Sequence, residues 1–211
     1  MVVAGANVAS ERAAVGGNDL RYEEADSFQV RMRPTGTLIG ITSHSLADVV
    51  KELGAGVTAG TPQQVAEQDI VVLAARWSNV QAALFAVPEW KGRILVDATN
   101  RVASYAPLAL GDISGRTSSE IVADLAGGAR VVKAFNSVPM SWISDFSPTK
   151  PRTVLFISGD DADAKKPVND LIEEVGFSCV DLGSLAVGGR LQQLGGPLLG
   201  VRLTFSERFV L

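Results

Sequence analysis

The sequence predicts an α/β fold with a doubly wound, mostly parallel sheet and an atypical N-terminal segment. The first observation is a set of short aliphatic runs that each stop at a small or polar residue, at 69–75, 93–100, 130–136 and 153–159. Runs of this kind are typical of strands that are buried on both faces of a parallel sheet. The second observation is that helical segments separate these runs, which is the arrangement of βαβ units with right-handed crossovers.

Residues 1–35 differ from the rest of the chain, and we expect an atypical, weakly packed leader there. The segment has one leucine and no isoleucine, and its charges follow no period. Its strand-like start, Val2-Val3-Ala4, leads into Gly5-Ala6-Asn7-Val8-Ala9-Ser10. A pyrophosphate-binding G-x-G-x-x-G loop would need glycine where Asn7 and Ser10 stand. This stretch is therefore either an altered phosphate loop or an ordinary turn.

From Gly36 onward the alternation of strands and helices is regular. Residues 37–42 are predicted to form a strand, and the helix after it has one apolar face because its large aliphatic residues recur at helical spacing. Thr61-Pro62 begins a second helix, since proline suits the first turn. The remaining predicted elements before residue 100 are strands at 57–59, 69–75 and 92–97 and a helix at 78–85.

The second half continues the pattern after a loop predicted at 101–116, where Pro107, Gly111 and Gly115 punctuate the chain. Ser118 or Ser119 is predicted to begin a helix that runs to Leu125. Strands are predicted at 130–135, 153–158 and 178–181, a short helical segment at 140–143, a linker at 147–151, and a helix capped by Asp160-Asp161 whose inner face holds Val168, Leu171, Ile172 and Val175.

Composition excludes several classes of function. The net charge of −4 offers nothing to attract nucleic acid or an anionic membrane, and no apolar run reaches the roughly 18–20 residues that a bilayer requires. One cysteine, Cys179, and one histidine do not make a zinc cluster or an internal disulfide. We therefore expect a cytoplasmic protein with a small-molecule partner, no nucleic acid and no membrane contact, and leave a homodimer open.

The candidate site consists of the residues that follow the buried strands, because ligands of open α/β sheets bind outside the carboxyl ends of the strands. Small residues after the first run would let a cofactor approach the backbone, and the tryptophan there is either a cover for the site or a packing anchor. Amide groups after the next two runs could bond a nicotinamide carboxamide, or could serve as an Asx turn and a helix N-cap. The candidates are Ala74, Ala75, Arg76, Trp77, Thr99, Asn100 and Asn136.

Two further positions bear on the choice of cofactor. Thr42 and Ser43 follow the strand whose end meets the adenosine ribose in such folds, and no acidic residue for the 2′-hydroxyl of NAD follows them. Hydroxyls at a helix N-terminus, beside His44, suit the 2′-phosphate of NADP, although simple helix capping explains them equally well. Lys133 is expected to point to an edge or end of its otherwise apolar strand, and we do not interpret it as a catalytic base.

Five motifs follow one another over about residues 36–201. They are Asp69-Ile70-Val71-Val72-Leu73-Ala74 with Trp77, Trp90-Lys91-Gly92-Arg93-Ile94 leading to Asp97-Ala98-Thr99-Asn100, Val132-Lys133-Ala134-Phe135-Asn136, Phe156-Ile157-Ser158-Gly159-Asp160-Asp161, and Gly188-Gly189-Arg190-Leu191-Gln192-Gln193 with Gly195-Gly196-Pro197-Leu198. In this order and spacing they resemble the dinucleotide-binding proteins related to NADPH-dependent deazaflavin (coenzyme F420) reductases.

The resemblance implies a Rossmann domain at 36–148 that binds NADP(H), followed by a strand–helix–strand extension at 149–211 packed on the same domain. It also implies an oxidoreductase, with coenzyme F420 or a flavin as co-substrate, in which hydride passes directly between two rings. Such transfer needs positioning more than an acid or base. The family's GAGNxG loop is only echoed here and the arginine of its second turn is absent, so a non-catalytic or cofactor-impaired binding protein is the alternative.

Overall fold

The computed structural model of the protein describes residues 2–6, 36–41, 51, 57–65, 67–87, 89–139, 141–142 and 151–205. Of the predicted features, the helix after the strand at 37–42 and the linker at 147–151 lie wholly or mostly outside these ranges. The strands are β1 (Val2–Ala6), β2 (Gly36–Ile41), β3 (Val57–Ala59), β4 (Ile70–Leu73), β5 (Ile94–Asp97), β6 (Val102–Tyr105), β7 (Leu108–Leu110), β8 (Arg130–Lys133), β9 (Arg152–Gly159), β10 (Ser178–Asp181) and β11 (Thr204–Phe205).

The described helices are α1 (Pro62–Val65), α2 (Val80–Phe85), α3 (Ser118–Leu125), α4 (Ala162–Glu174) and α5 (Gly188–Gln192). A 3₁₀ turn at Trp77–Asn79 comes directly before α2. No helix within the described ranges combines the length and the apolar composition that crossing a membrane requires.

The main sheet has the strand order β10-β9-β8-β5-β4-β1-β2-β3. The six strands from β8 to β3 are all parallel to one another. Their order is that of the doubly wound dinucleotide-binding fold. The predicted fold class is therefore confirmed. The chain turns back at β9, which pairs antiparallel with β8, and β10 then pairs parallel with β9.

The direction of β9 corrects one detail of the sequence interpretation. Its aliphatic run was predicted to belong to the parallel set, but Gly159 lies opposite Val132 and Ser158 opposite Lys133 in an antiparallel pair. An aliphatic run reports burial on both faces of the sheet, and β9 is buried from Thr153 to Gly159. Because burial does not depend on strand direction, the sequence pattern could not distinguish the two orientations.

The first strand of the fold is formed by the N-terminal segment. β1 lies between β2 and β4, with Val2 opposite both Thr37 and Val71. It therefore occupies the position next to which the strand order reverses, where ligands of this fold class bind. The rest of the predicted leader, including Asn7 and Ser10, lies outside the described residues.

Alternate residues of the central strands pack on opposite faces of the sheet. On one face, residues such as Val72, Val96 and Val132 pack with Val168 and Ile172 of α4. On the other face, Val71, Leu73, Leu95 and Val131 pack with Val80 and Leu84 of α2 and Val122 of α3. Helices thus cover both faces, which explains why the strands of the sheet read as continuous aliphatic runs rather than as alternating ones.

Residues 101–116 are not the plain loop that we predicted, because β6 and β7 form an antiparallel hairpin within them. The hairpin turns at a cis Ala106-Pro107 bond. In β6, partly buried Val102 and Ser104 alternate with exposed neighbours. Such an alternation over four residues is too short to stand out from the surrounding turn residues, so sequence reasoning missed it.

The predicted start of α3 is confirmed, since the helix begins at Ser118 and runs to Leu125, but its N-cap is the preceding residue. Thr117 is the N-cap: its hydroxyl accepts from the Glu120 backbone N–H, and the Glu120 carboxylate accepts from the Thr117 N–H. This is a capping box, and the Thr-x-x-Glu spacing was the available signal. Ser119, one of the two predicted starting residues, uses its hydroxyl elsewhere.

Candidate functional site

Three of the segments predicted to form the site follow the carboxyl ends of neighbouring parallel strands, so they leave the sheet on the same side. β5 lies between β4 and β8 and is parallel to both, so Leu73 is level with Asp97, and Asp97 with Lys133. The segments that follow these strands therefore begin side by side. They are 74–77 after β4, 98–101 after β5 and 134–138 after β8.

Asn100 and Asn136 meet across the ends of β5 and β8. Asn100 Nδ2 donates to the Asn136 backbone carbonyl at 3.0 Å, and Asn136 Nδ2 donates to Asn100 Oδ1 at 3.2 Å. This reciprocal pair joins two segments that are 36 residues apart in the sequence. Neither asparagine serves only a local Asx turn or a helix N-cap, which were the alternatives for these residues.

The segment after β4 is built around Trp77. Its indole packs against the core cluster beneath α2 and α3, and a Cβ placed on Gly111 would lie 2.5 Å from the indole Nε1. Gly111 is therefore needed for the hairpin to approach this ring. Trp77 is a packing anchor, and the hairpin closes over it directly beside the ends of β4 and β5.

Ala74, Ala75 and Arg76 lie between β4 and this anchor and are partly buried. Both side chains are small, so neither extends far over the backbone at this point. The Arg76 guanidinium stacks over the exposed ring of Tyr105 in the hairpin, with 5.9 Å between its Cζ and the ring centroid. The cation–π contact ties the end of β4 to the hairpin.

Thr99 is hydrogen-bonded to Asp97. Its hydroxyl and its backbone N–H both donate to Asp97 Oδ1, at 2.7 Å and 2.9 Å. The side chain is 2% exposed. Thr99 therefore holds the strand end in shape, and its hydroxyl is used within the protein.

Lys133 is the last residue of β8, which agrees with its predicted place at an edge or end of the strand, but its side chain is buried. It is fully buried, and its ammonium donates to Asp97 Oδ2 at 3.2 Å, to the Thr99 carbonyl at 3.2 Å and to Ser118 Oγ at 3.5 Å. A lysine ammonium has three hydrogens, and all three are used here. The residue is thus structural, in agreement with its not being interpreted as a base.

Asp97 is the centre of this buried cluster. Burial alone would raise the pKa of its carboxyl, but the Lys133 ammonium and the hydrogen bonds from Ser119 and Thr99 together outweigh burial and hold the pKa below its usual value. Ser119 Oγ donates to Asp97 Oδ2 at 2.6 Å. Asp97 is therefore ionised in the folded protein at neutral pH, and its charge is balanced within the cluster.

The glycine-rich C-terminal segment supplies residues that sequence reasoning did not place in the site. Gln192, in α5, is fully buried, and its backbone carbonyl accepts from Asn136 Nδ2 at 2.8 Å. Gly200 N–H donates to the Ser137 carbonyl at 2.6 Å. These contacts leave no periodic pattern in the sequence, because they come from a one-turn helix and a turn.

The end of β8 has two features that are unusual for a purely structural region. Phe135 has φ of 61°, a left-handed conformation that costs a residue with a side chain roughly 1–2 kcal/mol. Directly after it, Asn136 Oδ1 and Ser137 Oγ are buried and have no hydrogen-bond partner within the described part of the chain. Strained backbone and unpartnered buried polar atoms both occur preferentially at functional sites.

The other predicted binding residues, Thr42 and Ser43, lie outside the described residues. Their strand, β2, is placed, and it is parallel to β1 with Ala6 level with Ile41. The carboxyl ends of β1 and β2 therefore lie on the same side of the sheet as those of β4, β5 and β8.

Comparison with known proteins relates this arrangement to one family. A family model described as NADP oxidoreductase, coenzyme F420-dependent, matches residues 36–101. The crystal structure of a hypothetical protein from Sinorhizobium meliloti has 32% sequence identity and a TM-score of 0.77, covering 97% of this chain and 95% of that chain. The structure of a protein from Arthrobacter sp. FB24, described as a candidate F420-dependent NADP-reductase, has 24% identity and a TM-score of 0.60, covering 71% of this chain and 75% of that one.

Among curated proteins, metalloreductase STEAP3 of Rattus norvegicus is 28% identical over 138 residues, or 65% of this chain. The match covers 27% of STEAP3. The chain thus spans about a quarter of the length of this curated relative.

Proposed function

We propose that this chain, which belongs to the family of coenzyme F420-dependent NADP oxidoreductases, binds NADP(H) at the carboxyl ends of β1, β4, β5 and β8. It transfers hydride between the nicotinamide and a second ring, which is a deazaflavin such as coenzyme F420 or a flavin. The observation that carries this proposal is the asparagine pair that joins the ends of β5 and β8, because it brings amide groups to the place where this fold class binds the nicotinamide half of its cofactor.

The residues at this edge fit a nicotinamide nucleotide. Asn136 Oδ1 and Ser137 Oγ are buried polar atoms that lack partners within the described residues, and a carboxamide offers both a donor and an acceptor. Ala74 and Ala75 leave the backbone after β4 open to close approach. The site thus has buried polar atoms after β8 and small side chains after β4. This combination suits a flat ring that carries one amide substituent.

The protein's own contribution to the reaction is to hold the two rings together. Bound NADPH would supply a hydride to the acceptor ring, which takes its balancing proton from solvent. The Asp97–Lys133 cluster keeps the ends of β5 and β8 in register, and the Asn100–Asn136 pair fixes the segments above it. No side chain has to act as an acid or base, because direct hydride transfer depends on proximity and orientation.

An NADPH titration followed by nucleotide fluorescence tests the proposal. We expect binding in the micromolar range, and consumption of NADPH when coenzyme F420 or FMN is added as acceptor. The Asn100→Ala variant should bind NADPH about tenfold more weakly, since it loses both hydrogen bonds of the asparagine pair, which join the segments after β5 and β8. Asn169→Ala, in α4, removes the same side chain elsewhere and should bind like the wild type.

The alternative is a cofactor-impaired binding protein, which is favoured by Asn7 and Ser10 at two glycine positions of the phosphate loop. It predicts no binding of NADPH or NADH even at millimolar concentration. Binding without consumption of NADPH in the presence of either acceptor would support nucleotide binding and contradict the proposed hydride acceptors.

A further inference from the structure

The amide of Asn136 has a single orientation that its neighbours allow. Its Nδ2 donates to the Gln192 carbonyl at 2.8 Å and to Asn100 Oδ1 at 3.2 Å. An amide nitrogen has two hydrogens, so both are used. Rotating the amide by half a turn would place Oδ1 against two other oxygens. The donor side of Asn136 is therefore directed into the protein, and Oδ1 faces away from both partners.

Gln192 is the residue that fixes this orientation. Its Nε2 donates to the Lys133 carbonyl at 3.1 Å and to Ser158 Oγ at 3.1 Å. These bonds tie α5 to β8 and β9. The backbone carbonyl of Gln192 is thereby held where Asn136 Nδ2 can reach it.

Asn136 is 5% exposed, and its Oδ1 has no partner among the described residues. Leaving a buried acceptor without a donor is unfavourable, because the hydration that the atom loses on burial is not replaced. A ligand that brings an N–H to this atom recovers that free energy, and a ligand that brings only oxygens does not. The orientation of one amide thus determines which chemical group the site accepts.

We infer that Gln192 is a positioning residue that turns Asn136 Oδ1 toward the bound nucleotide, and that the site therefore selects a primary carboxamide on the ring over a ketone. The inference rests on the proposed function, because it assumes that a nicotinamide nucleotide binds at this edge. Gln192 does not touch the ligand; it acts through Asn136.

The test compares the Kd of NADPH with that of its reduced 3-acetylpyridine analogue, in which a methyl ketone replaces the carboxamide. Wild type should bind NADPH about tenfold more tightly than the analogue, since only NADPH has the N–H. Asn136→Ala and Gln192→Met should reduce this ratio to about twofold, because the first removes the acceptor and the second releases the carbonyl that orients it.

Gln193→Met is the matched control. Gln193 is the next residue and is also buried, but its Oε1 accepts from the Ser118 N–H at the start of α3. The tenfold ratio should persist in this variant. A general loss of structure would weaken both nucleotides alike, whereas loss of positioning changes their ratio.

The outcomes separate this inference from the proposed function. Equal binding of the two nucleotides by wild type overturns the inference and leaves NADPH binding intact, as would be the case if a buried water satisfied Asn136 Oδ1. A tenfold ratio that Gln192→Met leaves unchanged overturns the role of Gln192. Failure of wild type to bind either nucleotide overturns the proposed function, and the inference with it.

Discussion

The Lys133→Ala variant is expected to lose about 3–5 kcal/mol of unfolding free energy at neutral pH, the cost of removing one partner from a buried ion pair. Both side chains of the Asp97–Lys133 pair are 0% exposed. Alanine would leave the Asp97 carboxylate buried without its counter-charge, and the Thr99 carbonyl without this donor. Urea unfolding followed by circular dichroism measures the difference.

The difference in unfolding free energy between wild type and Lys133→Ala should become smaller as the pH falls. In wild type the folded pKa of Asp97 is lowered, so the stability from this group is present above the unfolded pKa of about 3.9 and is lost as pH falls through the folded value. In Lys133→Ala burial still raises the pKa while the Lys133 charge no longer opposes it. The Asp97 carboxylate of the variant is therefore protonated at a higher pH than in wild type, and protonation removes the uncompensated buried charge.

Lys166→Ala is the control for this prediction. Lys166 pairs with Asp170 in α4, and its side chain is 75% exposed. Exposed pairs of this kind contribute about 0.3–0.5 kcal/mol, so this variant should differ little from wild type at any pH. A Lys133→Ala variant as stable as Lys166→Ala would contradict the role given to the buried pair.

The Gly188→Ala variant is expected to lose about 3 kcal/mol of stability through overpacking and to bind NADPH more weakly. The added Cβ would lie 2.6 Å from both Leu182 O and Leu182 Cβ, and would clash with Ser158 Oγ. Ser158 Oγ is also a partner of Gln192. Moving α5 away from β9 therefore removes the support of Asn136 at the same time. Thermal unfolding and an NADPH titration measure the two effects.

Gly127→Ala provides the comparison, because a Cβ there would have no atom within 4 Å and its φ is not positive. We expect its stability to stay within about 0.5 kcal/mol of wild type. Equal stability of the two alanine variants would show that α5 can move off β9 without cost, and would contradict the close packing on which the position of Gln192 depends.

Much of the fold could be predicted because burial leaves a clear pattern in this sequence. β4, β5 and β8 are buried on both faces, so each appears as an aliphatic run that ends where the strand ends. α4 was found from Asp161, whose side chain accepts from the Ala164 N–H, and from its buried face of Val168 and Ile172. These signals are local, and each is set by the residues of one element.

The features that were missed depend on residues far apart in the chain. The burial of Lys133 was missed because nothing in its own strand indicates that Asp97, 36 residues earlier, lies opposite it. The role of Gln192 depends on contacts with β8 and β9, up to 59 residues away. The location of the candidate site could thus be predicted from the ends of the strands, whereas the polar network that supports it could not.

The Asp97–Lys133 cluster and the asparagine pair form two levels of one arrangement. The cluster joins β5 and β8 below the edge of the sheet, and Asn100 and Asn136 join the segments above it. A misplacement of about 1 Å can cost a reaction that depends on positioning about a hundredfold. The buried Asp97–Lys133 cluster, in which the lysine uses all three of its hydrogens, is therefore the kind of rigid support that hydride transfer without an acid or base requires.

Hydrogen exchange of the protein with and without saturating NADPH tests the central claim most directly, because it reports the binding edge of the sheet without assuming an acceptor. Amides in 98–101 and 134–138, after β5 and β8, should exchange more slowly when NADPH is bound, while those in 89–93 and 126–129, before the same strands, should not change. Protection confined to the segments before the strands, or no protection at either edge, would contradict the account.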